Sequence, residues 1–380
     1  MIEPFTINVS QDTLDDLQER LQKTRWPDQI GSPWTYGTDL NYLQDLCDYW
    51  MNQYDWRAAE AELNSLDHYK TEIEGRSLHF IHQRSSHQQA MPLLMTHGWP
   101  GSIAEFTKII PMLTQPENYG GKPEDAFHLI CPSIPGYGFS SAPIEPGFDQ
   151  KRVAEGHIEL MSRLGYEAYV VQGGDWGSPI SSWTAVLDPE RVKALHLTLV
   201  FAGFPKHKED PWEGVSDAEK QRLAERRTHM SEGTGYQAIQ GTRPQTLGYG
   251  LNDSPAGLAA WITEKFHAWT DCAGDIERSV SKDELLTNIM IYWVTGSITS
   301  SARLYYESNH VGSNLFEKRV ETPTGCAIFP GELYQPPRAW ANELYNVQHW
   351  STPAAGGHFA ALEQPALLAE DLRHFFRQHR

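Results

Sequence analysis

The stretch YVVQGGDWGSP, residues 169–179, decides how the rest of the chain is read. A short apolar run breaks into two glycines, one aspartate and a third glycine. Small–x–nucleophile–x–small after a strand and before a helix is the pattern of a nucleophile elbow, a strained turn that lifts one side chain clear of the sheet. Gly173 and Gly177 flank Asp175, where larger side chains would crowd the turn. The helix that follows aims its first N–H groups at the site, which favours an anion there. The competing use of Asp175 is as an ordinary cap of that helix. No G-x-S-x-G occurs in the chain, so no serine competes for the position.

Outward from this turn, apolar runs alternate with helical patterns. They are PLLMTH (92–97), a helix over 102–113, FHLICPSI (127–134), a helix over 150–164, AYVVQ (168–172), a helix over 177–187 and VKALHLTLV (192–200). Such alternation predicts βαβ units and a mostly parallel sheet. Residues 206–318 interrupt the rhythm with Trp- and Tyr-rich helical segments and no clear strand. The alternation resumes at TGCAIFP (324–330) and NVQHWST (346–352), with a last helix over 364–379. An interrupted sheet predicts an inserted cap over the carboxyl ends of the strands, where open α/β sheets bind ligands. Upstream, HYKTEIEGRSLHFIHQRS turns at Glu74-Gly75-Arg76 as a hairpin. Residues 10–24 form a short amphipathic helix behind Ser10, and 38–53 form a second, opened by Thr38 or Asp39.

Composition bounds the possibilities. The chain has 380 residues, 40% hydrophobic and 11% aromatic, enough for a large core. Its 31 basic and 49 acidic residues give −18, which argues against nucleic acid or an anionic membrane as partner. Cys47, Cys131, Cys272 and Cys326 lie far apart, without metal-ligand or CxxC spacing, and are expected to be reduced thiols in a cytoplasmic protein. The acidic start MIEPFTINVSQDTLDD lacks the form of a signal peptide, and no stretch approaches a membrane span. No metal or cofactor is expected; a homodimer is compatible with all of this.

Two further motifs carry chemistry. HGWPGS (97–102) follows a strand, where this architecture supplies one oxyanion-hole N–H; a second comes from the residue after the nucleophile. The donors would be the backbone amides of Trp99 and Trp176, with His97 itself structural. GGHF (356–359) follows the last strand, and His358 stands out among sixteen histidines for its glycine loop at a strand end. The order nucleophile, acid, histidine fits this arrangement. PGELY places Glu332 after the preceding strand as the orienting carboxylate. FAGFPKHK offers no acid before Glu209, and the alternatives Glu321 and Glu343 follow no strand end.

A carboxylate is a weak nucleophile, suited to displacement at a saturated carbon bearing a leaving group, giving an ester of Asp175. Water activated by His358 would then attack that ester, with the oxyanion hole stabilising the step. Alkyl halides and epoxides both fit. An epoxide needs a proton for its alkoxide, and a phenol with pKa about 10 is a suitable donor. The insertion offers Tyr236, Tyr249, Tyr292, Tyr305 and Tyr306.

With these residues assembled, the chain resembles the α/β-hydrolase-fold epoxide hydrolases of the microsomal and juvenile-hormone type, which carry an N-terminal extension. The likeness spans nearly the whole chain: PFTINVSQDTLDDLQERL, TRWPD, HGWPGS, PSIPGYGFS, GGDWGS, LNDSPAGLAAWITEKF, YWVTG…SSARLYY and GGHFAALEQP. It implies Asp175 as nucleophile, His358 as base, Glu332 as charge-relay acid, and Tyr236 and Tyr305 as ring-opening donors. Tyr306 adjoins the second donor, but the family's R-x-Y, here Arg303-Leu304-Tyr305, favours Tyr305. The implied division is an extension over 1–66, core over 67–205, helical cap over 206–318 and core again over 319–380. Membrane-bound members carry an apolar anchor ahead of the region resembling residue 1 onward; none is visible here. The expected substrate is a small apolar epoxide with water. The competing readings are a hydrolytic dehalogenase, for which Trp176 is a possible halide donor, and a non-catalytic binding protein of the same fold.

Overall fold

The computed structural model describes residues 1–380, the side chains of Thr228, His229 and Phe316 excepted. Nine strands form one sheet: β1 (Ile2–Pro4), β2 (His68–Ile73), β3 (Arg76–Gln83), β4 (Met91–Thr96), β5 (Phe127–Pro132), β6 (Tyr169–Gly173), β7 (Val192–Leu197), β8 (Val320–Ala327) and β9 (Tyr345–Ser351). Their order is β1-β2-β3-β5-β4-β6-β7-β8-β9. The first three strands join antiparallel, β3 meets β5 antiparallel, and every later pairing is parallel. This is the mostly parallel, helix-flanked sheet of the α/β-hydrolase fold. The β2–β3 turn has positive φ at both Glu74 (50°) and Gly75 (73°), which a two-residue type I′ turn requires.

Burial on both faces explains why β6 reads as an unbroken apolar run: all five of its residues are buried. Alternate side chains feed two cores. Leu93, Met95 and Val170 face one, while Leu94 and Val171 face the other. Between β7 and β8 the described residues form helices and no strand, the main ones being Asp217–Ser231, Gly235–Gln240, Pro244–Asp253, Pro255–Trp269, Lys282–Thr295 and Ile298–His310. Ser216 and Ser281 open two of them with capping boxes to Glu219 and Glu284.

The N-terminal residues are stitched to both parts. Asn64 exchanges two hydrogen bonds with the Ile7 backbone at 2.9 Å. Across to the helices between β7 and β8, Arg20 pairs with Asp253 at 2.6 Å and the Thr38 hydroxyl donates to the Ala260 carbonyl at 2.7 Å. Tyr49 donates to Asp283 at 2.8 Å.

Several boundaries differ from the sequence-based expectation. The helix expected over 102–113 is a 3-10 turn, Ile103–Phe106, followed by Ile109–Thr114. Pro111 has no N–H and would strike the carbonyl of residue 107 in a continuous helix, so the helix restarts with proline in its first turn. The last helix is likewise divided into Ala360–Glu363 and Pro365–Phe376, with Pro365 opening the second piece. Helix Trp56–Leu63 and strand β1 were not expected. Helix 38–53 is Leu40–Asn52, and Asp39, not Thr38, caps it by accepting from the Tyr42 amide. The four cysteines are buried and unbridged. Among the described residues no helix is long and apolar enough to cross a membrane.

Candidate active site

Strand register gathers the loops of interest on one edge of the sheet. Thr96 lies opposite Gly173, Gly173 opposite Leu197, and Ala327 opposite Ser351. β4, β6, β8 and β9 therefore release HGW, GDW, FPGE and the GGH loop side by side.

Asp175 leaves β6 with φ of 43°, a left-handed conformation uncommon outside glycine. Neighbouring glycines make the turn possible. A Cβ on Gly173 would lie 2.0 Å from the Gly177 carbonyl oxygen, and one on Gly177 would lie 1.9 Å from that of Thr96. The following helix, Gly177–Leu187, has Trp176 at its N-cap position and no side-chain cap bond. Asp175 is thus not a helix cap here; its carboxylate turns the other way. The Trp99 amide donates to Oδ1 at 2.7 Å, and His358 Nε2 lies 3.3 Å from Oδ2. Of the two amides expected as oxyanion-hole donors, that of Trp99 bonds to the Asp175 carboxylate, and no bond from that of Trp176 to it is found among the described residues.

The HGW loop is held rigidly for this purpose. A Cβ on Gly98 would fall 2.2 Å from Asp175 Oδ1, so glycine is required by the carboxylate itself. His97 Nδ1–H donates to the Gly98 carbonyl at 3.0 Å, and Nε2 accepts from the Ile134 amide at 3.2 Å. Both bonds need a neutral ring, and burial lowers its pKa to about 4. His97 is a strut, as its sequence context indicated. From the helix Lys282–Thr295, the Asn288 amide donates to Pro100 O and the Tyr292 hydroxyl to Gly101 O, each at 2.7 Å.

His358 and Glu332 form a buried pair, with Nδ1 2.7 Å from Oε1 and side chains only 2% and 1% exposed. The Leu333 amide also donates to Oε1, at 2.6 Å. Burial opposes charge on the imidazole, but Glu332 and Asp175 on its two sides outweigh burial and hold its pKa well above the ordinary value. Glu321 and Glu343 are not part of this pair; Glu343 instead meets Lys208 and His207.

The five tyrosines separate cleanly. Tyr292 is bonded to the HGW loop, Tyr249 is exposed, and Tyr306 stacks on His310 with centroids 3.9 Å apart. Tyr236 and Tyr305 are buried and meet edge to face at 5.8 Å. Trp99 stacks on Tyr236 at 5.2 Å, and Trp176 packs edgewise on Tyr305 at 4.7 Å. Burial, and to a lesser degree the Asp175 charge, raises both phenols, so both are held protonated. Three residues escaped sequence reasoning. Trp269 packs on His358 at 5.1 Å and accepts its backbone amide at 2.9 Å. Lys265 lies over Tyr236. Glu105 borders a cavity of about 20 Å³ that Asp175 and His358 also line, together with Thr96, Gln172 and Thr198. That volume holds about one water. Thr96 Oγ1 and Gln172 Oε1 there are buried without partners among the described residues. Burial raises the Glu105 carboxyl to about 8; the nearby Asp175 charge adds to this and His358 opposes it. None of the three sits in a motif whose spacing carries chemistry.

Comparison with known proteins agrees with this architecture. Residues 2–106 match the family described as "Epoxide hydrolase N terminus", and residues 91–249 match "alpha/beta hydrolase fold". Epoxide hydrolase 1 of Sus scrofa is 44% identical over 98% of this chain and 88% of its own length. The crystal structure of juvenile hormone epoxide hydrolase from the silkworm Bombyx mori superposes with a TM-score of 0.92, at 35% identity, covering 100% of this chain and 95% of that one. The Aspergillus niger epoxide hydrolase structure gives 0.87 at 33% identity, covering 100% and 97%. The chain belongs to the epoxide hydrolases of the α/β-hydrolase fold.

Proposed function

We propose that the enzyme adds water to a small apolar epoxide to give a vicinal diol, through an alkyl ester on Asp175. The carrying observation is the convergence of two protonated, buried phenols with a carboxylate that is backed by a histidine–carboxylate pair. In the first step Asp175 attacks a ring carbon while Tyr236 and Tyr305 hydrogen-bond to the oxygen, and a phenol proton passes to it. The histidine then changes character. Flanked by two carboxylates, His358 is held protonated; once Asp175 becomes a neutral ester, one of those charges is gone. The imidazole pKa falls, and the ring becomes able to take a proton from water. Glu332 stabilises the imidazolium that results. The amide of Trp99, already bonded to Oδ1, and that of Trp176 serve the oxyanion of the second step. The cavity beside Glu105 has the size and polar lining for the attacking water.

The division into an extension over 1–66, core segments over 67–205 and 319–380, and a cap over 206–318 belongs to this reading. The helices between β7 and β8, which bring Tyr236 and Tyr305 over the strand ends, support it. So does a cytoplasmic location, for which the four buried, unbridged thiols speak.

One observation favours a second reading. The Trp176 indole N–H is buried against Tyr305 and faces its hydroxyl, a placement that a halide donor would also have. A dehalogenase, however, has no use for the phenol pair. The deciding experiment measures diol release from styrene-oxide-like substrates beside halide release from bromoalkanes. Diol is expected, and halide alone would overturn the proposal. Asp175→Ala should abolish turnover, and His358→Gln should accumulate an adduct heavier by the mass of the epoxide. Unmodified protein after incubation would rule against the covalent route.

A further inference from the structure

Against the ring of Tyr236 lies a lysine that the reaction as written leaves unused. Lys265, on the helix Pro255–Trp269, is only 4% exposed. An ammonium is rarely buried without compensation. Its Nζ pairs with the neighbouring Glu264, whose side chain is 30% exposed. It also meets two aromatic rings: Nζ sits 4.5 Å from the centroid of Tyr236 and 5.6 Å from that of Trp269. Both rings belong to the wall around Asp175 and His358. A lysine whose stem merely filled space would carry its charge outward to water; this one keeps it against the site.

We propose that Lys265 is a positioning residue for ring opening, its buried ammonium stabilising the negative charge that forms on Tyr236 as the phenol gives up its proton. The inference rests on the reading of Tyr236 as a proton donor. As an Asp175 oxygen bonds to the ring carbon, the C–O bond breaks with its electron pair on oxygen. The phenol proton moves to that oxygen, and the charge passes to Tyr236 Oη. Hydrolysis of the ester by water later releases one proton more than the diol retains, and this proton restores the phenol.

The groups facing Tyr236 explain the need. Burial and the Asp175 and Glu264 carboxylates oppose a phenolate, whereas Gln237 and Tyr305 favour it only by hydrogen bonding. Asp175 loses its charge as the ester forms. Glu264 reaches solvent and is screened there, while the ammonium on the ring face is not. Lys265 is thus, among the described residues, a cation held on the face of the ring whose oxygen takes up the developing charge, 4.5 Å from its centroid.

The test resolves the two steps in single turnovers with styrene oxide, following ester formation and ester decay by acid quench and intact mass. The variants are Lys265→Met, Lys265→Arg, Tyr236→Phe and the double variant Lys265→Met/Tyr236→Phe. Loss of a buried cation beside a charge that grows only as the phenol proton leaves implies that Lys265→Met slows ester formation about ten- to thirtyfold. Ester decay should stay within about twofold, Lys265→Arg should recover most of the rate, and the effect should vanish in the Tyr236→Phe background. Equal slowing of both steps, no slowing, or the same slowing without the phenol would overturn the inference. Ester formation at the parent rate in Tyr236→Phe would instead overturn the donor reading on which it rests. Should Lys265→Met not fold, Glu264→Gln keeps the ammonium and removes its counter-charge. Ester formation in that variant should hold or rise, and a fall beyond about threefold would overturn the inference.

Discussion

Replacing Glu332 by Gln should separate the two chemical steps. The side chain keeps its size and can still accept from His358 Nδ1, but the negative charge 2.7 Å away is lost. A hydrogen bond to a charged partner contributes about 1.5–3 kcal/mol, so stabilisation of the imidazolium formed during hydrolysis should fall by that much. At about 1.4 kcal/mol per decade, ester decay slows roughly ten- to a hundredfold. Ester formation, which depends on Asp175 and the phenols, should change by less than about threefold. The sign of the pH effect follows as well. Glu332 is the leading influence raising the His358 pKa against burial, so its removal lowers that pKa. The ring is then neutral at lower pH, and the acidic limb of the decay rate moves down even as its plateau falls. Trp99, Trp176 and Trp269 surround the reacting groups, so stopped-flow tryptophan fluorescence can follow both phases, with intact mass confirming the ester. Ester formation slowed as much as decay, no accumulation of ester, or an acidic limb displaced upward would refute the reasoning.

Tyr305→Phe should slow ester formation at least about tenfold, while Tyr306→Phe, whose ring stacks on His310, should stay within about twofold; equal rates would undo the choice between them. Gly98→Ala would press a methyl group onto Asp175 Oδ1, destabilising the fold by about 1–3 kcal/mol and lowering turnover more than tenfold; a parent-like melting curve and rate would show that the loop can yield. Glu105 has a folded pKa of about 8 against an ordinary 4.5, so between these values the unfolded chain binds fewer protons. Its contribution is therefore fully present below about pH 4.5 and lost as pH rises through about 8. Thermal melts of the parent should fall more steeply over that window than those of Glu105→Gln, and parallel curves would contradict the assignment.

The sheet was legible because β6 and its parallel neighbours are buried on both faces and must read as apolar runs. The elbow was legible for a related reason: Gly173 and Gly177 admit no Cβ, and such necessity leaves a mark on sequence. Other features leave none. Helix Trp56–Leu63 is too short for a periodic pattern, and β1 is a three-residue edge strand. The break near Pro111 was written in the chain, but amphipathic spacing on either side masked it. Tyr236 and Tyr305 stand 69 positions apart on two helices, and only tertiary packing brings their rings to 5.8 Å. The residues alone left five tyrosines open; the family motif narrowed them. Lys265 and Glu105 look like solvated charges on helical faces, and nothing local announces that the first is buried and the second half-buried beside the site.

The loop that bears His358, the proposed base, is sewn to the end of the helix Pro255–Trp269. The His358 amide donates to Trp269 O, Gly356 donates to Asp271, and Glu363 accepts from Asp271 and Gly357. This seam makes the insertion something other than an exchangeable specificity module. A chimera that borrows the helices of a relative inherits, through residues 269–271, the alignment of its own base. Recombination of this chain is thereby constrained: on the proposed mechanism, the helices between β7 and β8 and the loop of His358 must be transplanted as a matched pair.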